Sequence, residues 1–133
     1  MNETLLLDCE GLSRLVRQER GMSAAFNAAS SRNALAAVSS VTIVEAGYVK
    51  AHKARLHWLP SRLTVEPVTE GLARQASDLL HENSGLSGHE YAIDAIVAAT
   101  ARQLSEACRV TVLTSDPDDL KRLCGPGITI KRV

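Results

Sequence analysis

Aromatic residues are scarce, with one Trp, one Phe and two Tyr in 133 residues. The core must therefore be filled by aliphatic side chains and alanine, a filling that suits helices packed on a sheet. Net charge is lacking too: fifteen basic and fifteen acidic residues cancel. This excludes a bulk positive field that draws the chain to nucleic acid, so any polyanion site must come from local clustering, and neutrality favours self-association. Cysteine is limited to Cys9, Cys108 and Cys124, an odd number with no C-x-x-C pair. That excludes a zinc site and points to reduced thiols of a cytosolic protein. The stretch MNETLLLDCEG has an apolar run of only three leucines and no basic leader, too little for a signal peptide or a membrane span, so a cytoplasmic location without a membrane partner is expected. Nothing resembles G-x-G-x-x-G or a P-loop, and no Ser, Cys and His arrangement signals a covalent nucleophile.

What is present reads as one domain over residues 1–133, since at this length roughly two thirds of the extended surface can be buried. Strand-like and helix-like patterns alternate. TLLLD over 4–8 reads as a buried strand bounded by Gly11, and Leu12 to Gln18 as a helix. An alanine-rich helix is predicted from about Met22 to Arg32, then a strand of small apolar residues from Leu35 to Ser39. Ser40 can cap the helix VTIVEAGYVKAHKARL, whose continuation ends at Pro60. Leu63 to Val68 reads as a strand, with Pro67 placing it near an edge or a strand end. Thr69 caps a helix that stops at Gly85. Ser87 with Glu90 forms a capping box and Leu86 with Tyr91 a hydrophobic staple, opening the helix YAIDAIVAATARQL, which is apolar nearly all round. Arg109 to Thr114 is the strongest strand pattern. Asp116 and Pro117 fit an N-cap and first residue of DDLKRLC, Gly125 stops that helix, and Ile128 to Val133 closes with a strand. The order β, α, α, β, α, β, α, α, β, α, β predicts a parallel sheet with helices on both faces.

Four acids stand in apolar stretches: Asp8 ending TLLLD, Glu45 ending SSVTIVE, Asp94 within YAIDAIVAATA, and Asp116 after RVTVLT. Burying an unpaired charge costs several kcal/mol or more, so such groups persist when paired, protonated or bound to a cation. In a parallel sheet, functional groups collect at the carboxyl ends of strands, where Asp8 and Asp116 fall and which Glu45 and Asp94 can reach from their helices. Oxygen donors converging there suit Mg²⁺ or Mn²⁺ and the hydrolysis of phosphodiesters. Each acid also has a local reading. Asp8 fits a strand-end turn, Glu45 a surface pair with Lys50 or Lys53, and Asp116 a helix start before Pro117. Asp94 has no local cation, and its purely structural reading is the weakest.

The stretches LLLDCEGL, VTIVEAGY, GHEYAIDAIVAATA and VLTSDPDDLKRL, taken together over nearly the whole chain, resemble the PIN-domain ribonucleases, especially the VapC-type toxins of bacterial toxin–antitoxin pairs. The resemblance implies a three-layer α/β/α fold around a five-stranded parallel sheet, a divalent metal at an acidic cleft and endonucleolytic cleavage of RNA. It assigns the metal-binding and catalytic acid positions to Asp8, Glu45, Asp94 and Asp116, with Glu45 holding or tuning the ion and helping to position the attacking water. Thr114 matches a hydroxyl two residues before the fourth acid, where it orients a carboxylate or a water. A homodimer is implied, as is a small antitoxin that inserts a segment into the active site. One position departs from the pattern: two residues after Asp8 the family usually has Ser, Thr or Asn, and here stands Glu10. Either Glu10 adds an outer-shell ligand or it turns away.

Between Glu45 and Glu66 no acid occurs, yet Lys50, His52, Lys53, Arg55, His57 and Arg62 appear with Trp58. Lys50, Lys53 and Arg55 are candidates for holding RNA phosphates and Trp58 for stacking on a base; the competing reading is a solvated basic helix with Trp58 in a protein interface. His81 and His89 read as surface residues, and Cys9 as a small buried side chain. Two rivals stand beside the nuclease: an inactive member of the same fold that binds RNA or protein, and a haloacid dehalogenase-like phosphatase using Asp8 as nucleophile. Against the second, DCEGL lacks the second Asp or Thr of the D-x-D/T motif.

Overall fold

Strand β1 (Glu3–Leu7) lies at the middle of the fold, paired on both edges and covered on both faces. The computed structural model describes residues 2–46, 63–83, 85–86 and 88–133. Around β1, strands β2 (Leu35–Ser39), β3 (Thr64–Glu66), β4 (Arg109–Thr114) and β5 (Thr129–Arg132) complete a five-stranded sheet in the order β3-β2-β1-β4-β5. Every pairing is parallel. The side-chain period of two sorts the core: Leu5, Leu7, Ala36, Val38 and Leu113 face one helical layer, while Leu6, Ala37, Val110 and Val112 face the other.

Helices α1 (Cys9–Val16), α2 (Arg20–Ser31) and α3 (Ser40–Ala46) cover the first face, contributing Leu12, Leu15, Met22, Phe26, Ala29 and Ala46 to its core. Helices α4 (Glu70–Glu82), α5 (Gly88–Leu104) and α6 (Pro117–Cys124) cover the second. Helix α5 presses Ala95, Ala98, Ala99 and Ala101 into that core, all fully buried, and their small side chains let the helix sit close against its neighbours. The result is the three-layer α/β/α sandwich that the alternating patterns predict.

Local boundaries differ where a cap decides them. Helix α1 starts at Cys9 rather than Leu12, because Asp8 ends the strand at once and caps the helix, its Oδ1 accepting the Gly11 N–H at 2.9 Å. Gly11 is thus inside a helix, where an added Cβ would stand 3.2 Å from the Leu113 carbonyl oxygen of β4. Ser39 rather than Ser40 caps α3, its hydroxyl accepting the Val41 N–H at 3.3 Å. Thr69 caps α4 as expected, through the Leu72 N–H at 3.1 Å. That helix ends at Glu82, ahead of the predicted stop. β3 lies at the sheet edge, as Pro67 requires. Gly125, at φ 77°, ends α6 in a conformation that side chains disfavour. The staple pair Leu86 and Tyr91 packs on one core, whereas its partner signal Ser87 lies outside the described residues. Cys9, expected buried, is only half-buried. Among the described residues no helix is long and apolar enough to cross a membrane.

Candidate metal centre

Parallel register brings the carboxyl ends of β2, β1 and β4 to one rim, with Val38 beside Leu7 and Leu7 beside Leu113. Asp8 follows β1 there, and its carboxylate ties two elements together: Oδ1 takes the Gly11 N–H and Oδ2 the Ser115 N–H at 3.3 Å. The turn reading of Asp8 and its place at the rim are therefore one geometry, since carboxylate oxygens accept more than one bond each. Helix α3, starting directly after β2, carries Glu45 to the same rim. Helix α5 supplies Asp94. Asp8, Glu45, Asp94 and Asp116 all line a single cleft of about 260 Å³, together with Cys9, Glu10, Ile93, Val97 and Ser115.

Two of these acids, Asp94 and Asp116, also form a group with Asp119, each of the three offering a carboxylate oxygen within 4.8 Å of the others. On an octahedral Mg²⁺, with metal–oxygen distances of about 2.1 Å, neighbouring ligands stand about 3 Å apart and opposite ones about 4.2 Å, so the three acids would draw together to close on one ion. Its donors are all hard oxygens, which fits Mg²⁺ or Mn²⁺. Asp119 is the residue that sequence reading missed. It follows Asp116 by three positions, and that spacing puts both on one side of the first turn of α6.

Electrostatics mark the same group. Burial first, then the charges of Asp116, Asp119, Glu45 and Asp8, raise Asp94 from 3.8 to about 6. Burial and then the Asp8 charge raise Glu45. Asp119 is raised by burial and by a hydrogen bond with Asp116. Carboxylates that raise one another in this way are relieved by a cation between them. Thr114, fully buried, accepts the Asp116 backbone N–H on its hydroxyl at 2.9 Å, so it positions that acid through the main chain. Asp116 precedes Pro117 at the helix start, as the sequence suggests, yet its side chain makes no capping hydrogen bond.

Glu10 stands at the rim but outside the tight group. Its Oε1 accepts from Arg14 Nε at 3.0 Å and from Arg17 Nη2 at 3.4 Å, contacts that hold its carboxyl below the usual range. Burial, then the charge of Glu45, raises the Cys9 thiol, which disfavours a thiolate nucleophile. Lys50, Lys53, Arg55 and Trp58, with His52, His57 and Arg62, lie outside the described residues. His81 and His89 are exposed and apart from the cleft lining. A larger cavity of about 530 Å³, between the end of α2 and the starts of β2 and β3, is lined among the described residues by Phe26, Ala29, Ser30, Asn33, Ala34, Leu35, Ala36, Leu63 and Thr64, without a titratable side chain.

No family model and no curated protein sequence matches the chain. Solved structures do. A chain of VapBC2 from Rickettsia felis, bound to a DNA fragment from their promoter, superposes with a TM-score of 0.71 over 98% of this chain and 98% of its own, at 16% identity. A chain of FitAB bound to the IR36 DNA fragment gives a TM-score of 0.62 over 96% of this chain and 94% of its own, at 18% identity. At such identities the likeness carries the architecture: this chain has a PIN-like α/β fold.

Proposed function

We propose that the chain is a divalent-metal-dependent endoribonuclease that hydrolyses RNA phosphodiester bonds, and that it serves as the toxin of a bacterial toxin–antitoxin pair. The single observation that carries this reading is the cleft in which Asp8, Glu45, Asp94 and Asp116 meet, with Asp119 completing the tight group. Five carboxylates gathered at one rim, with Asp94, Glu45 and Asp119 raised by burial and by their acidic neighbours, make sense as a cation site. Asp94, Asp116 and Asp119 would hold Mg²⁺ or Mn²⁺, with Asp8 across the cleft as a further oxygen donor. A bound ion would neutralise phosphate charge and lower the pKa of an attacking water.

The protein's own groups do the rest. Thr114 fixes the main chain at Asp116, and the Asp8 bond to Ser115 N–H locks the end of β4 to the start of α1. Preorganised charges of this kind act without rearranging during the reaction. Glu45, raised by burial and by Asp8, is suited to take a proton from the attacking water on its carboxylate oxygen. No protein nucleophile is needed. Likeness to chains of the two-component complexes VapBC2 and FitAB supports an antitoxin as protein partner, and the resemblance in sequence supports a homodimer.

Cleavage of a mixed RNA pool by purified protein tests the reading, with Mg²⁺ or Mn²⁺, with EDTA, and with Asp94→Asn. Cutting lost in both controls is expected. Cutting that survives Asp94→Asn in a folded protein would overturn it.

A further inference from the structure

A cleft lined by carboxylates repels the polyanion it is proposed to cut, so the strand must be held by cations at its rim. Among the described residues, two arginines reach the rim through Glu10. Arg14 on α1 and Arg17 at its C-cap follow Glu10 by four and seven positions, and both contact its Oε1, at 3.0 and 3.4 Å. Glu10 itself lines the cleft two residues from Asp8. Its Oε2 accepts no hydrogen bond among the described residues. Arg14 also reaches Glu19 through Nη1 at 3.4 Å, whereas Arg17 uses Nη2 in its contact with Glu10, so both guanidinium groups keep N–H donors outside these contacts. The side chains are 30% (Arg14), 49% (Arg17) and 36% (Glu10) exposed.

We propose that Arg14 and Arg17 form a phosphate-binding site for the RNA strand beside the metal cleft, and that Glu10 is its built-in competitor, displaced by a backbone phosphate when the strand enters. Exposed ion pairs are weak enough to be exchanged. A phosphate diester presents two oxygens to a guanidinium in the fork geometry that Arg favours. The exchange leaves these two arginines neutralised in both states, so neither is bare in the free protein while both still anchor the substrate in the bound one. The family pattern of a small polar residue at this position has no such competitor, which makes Glu10 a property of this chain. The inference rests on the nuclease reading for the identity of the ligand.

The test is binding of a fluorescent single-stranded oligouridylate to the full chain in EDTA, where no cleavage intervenes, over a range of salt. Glu10→Gln should bind about three- to fivefold more tightly than wild type at low salt, the scale of one exposed ion pair. Arg14→Ala/Arg17→Ala should bind more weakly, with the slope of log K against log salt reduced by about 1.4, two phosphate contacts on a single strand. Arg14→Lys/Arg17→Lys should keep most of that slope, which separates lost charge from lost fold. Unchanged or weaker binding by Glu10→Gln, or an unchanged slope in the alanine double variant, overturns the proposal. So does tighter binding of Glu10→Gln to polyglutamate alone, which would assign the arginines to an acidic protein. Metal-dependent cutting without these effects leaves the nuclease and removes the site. The effects without cutting leave the site and remove the nuclease.

Discussion

Thr114 and Asp116 are joined through the backbone: the buried Thr114 hydroxyl accepts the Asp116 N–H at 2.9 Å, so a side chain with no access to solvent sets the position of an acid at the cleft. Thr114→Val removes the acceptor while keeping the shape. It should cost about 1 kcal/mol of stability and weaken Mn²⁺ binding, with Thr114→Ser restoring both. Calorimetric titration with Mn²⁺ and thermal melts would check this, and full metal affinity in the valine variant would remove the positioning role.

Asp119 should matter as much as Asp94. Asp119→Asn is expected to lower Mn²⁺ affinity and RNA cleavage about as far as Asp94→Asn, by at least tenfold, because each takes one carboxylate from the same tight group. The adjacent and exposed Asp118 supplies the control, and Asp118→Asn should change neither by more than about twofold.

The acidic group imposes a pH signature on the metal-free protein. Asp94 titrates at about 6 in the fold against 3.8 in the open chain. The native state therefore binds the proton more tightly, and the stability this contributes is complete below pH 3.8 and lost as pH rises through 6. In EDTA, Asp94→Asn should melt together with wild type near pH 3.5 and above it at pH 7. The half-exposed group is screened by solvent, which limits the gain to about 1 kcal/mol, or about 3–5 °C.

Mg²⁺ or Mn²⁺ should reverse that order at pH 7. Wild type gains about 2.7 kcal/mol at a metal concentration a hundred times its Kd, whereas Asp94→Asn gains less. Affinity should fall below pH 6, because Asp94 must lose its proton to bind. Melting curves with and without metal at pH 5 and pH 7 are the measurement. A wild-type Tm indifferent to metal at pH 7 would count against the centre.

Gly11→Ala should destabilise the protein despite the helix propensity of alanine. The new Cβ would meet a main-chain oxygen of β4 at 3.2 Å and Asp8 Oδ1 at 3.6 Å. A central strand cannot yield as a side-chain tip would, so α1 must shift and carry Asp8 with it. A net loss of about 1 kcal/mol and reduced cleavage are expected from denaturation and activity assays.

The layered fold was legible because its signals are local and repeated: RVTVLT bounded by turns, Thr69 before an apolar-periodic stretch, Pro67 at an edge. Asp8, Glu45, Asp94 and Asp116 stood out because each breaks an apolar stretch, and all reach one cleft. Asp119 was hidden by its company. Within DPDD it reads as one of several acids favouring a helix N-terminus, and only the spacing of three from Asp116 separates it from Asp118. Glu10 was ambiguous for a different reason, since its outcome depends on Arg14 and Arg17 lying on the same side of α1. That fact is a matter of helix phase, and the sequence reading began the helix three residues late. The choice of Ser39 over Ser40 as cap likewise turned on a single residue of strand length.

Asp8 reaches across 107 positions of sequence to Ser115, because β1 is the central strand and its second neighbour is β4. A chain growing from its N-terminus at about 5–20 residues per second thus carries Asp8 and Glu45 long before Asp116 and Asp119 exist. β1 waits with one edge unpaired during that interval, exposed to mispairing with other chains. The same delay means that fragments released by premature termination anywhere before β4 are unable to form the acidic cleft.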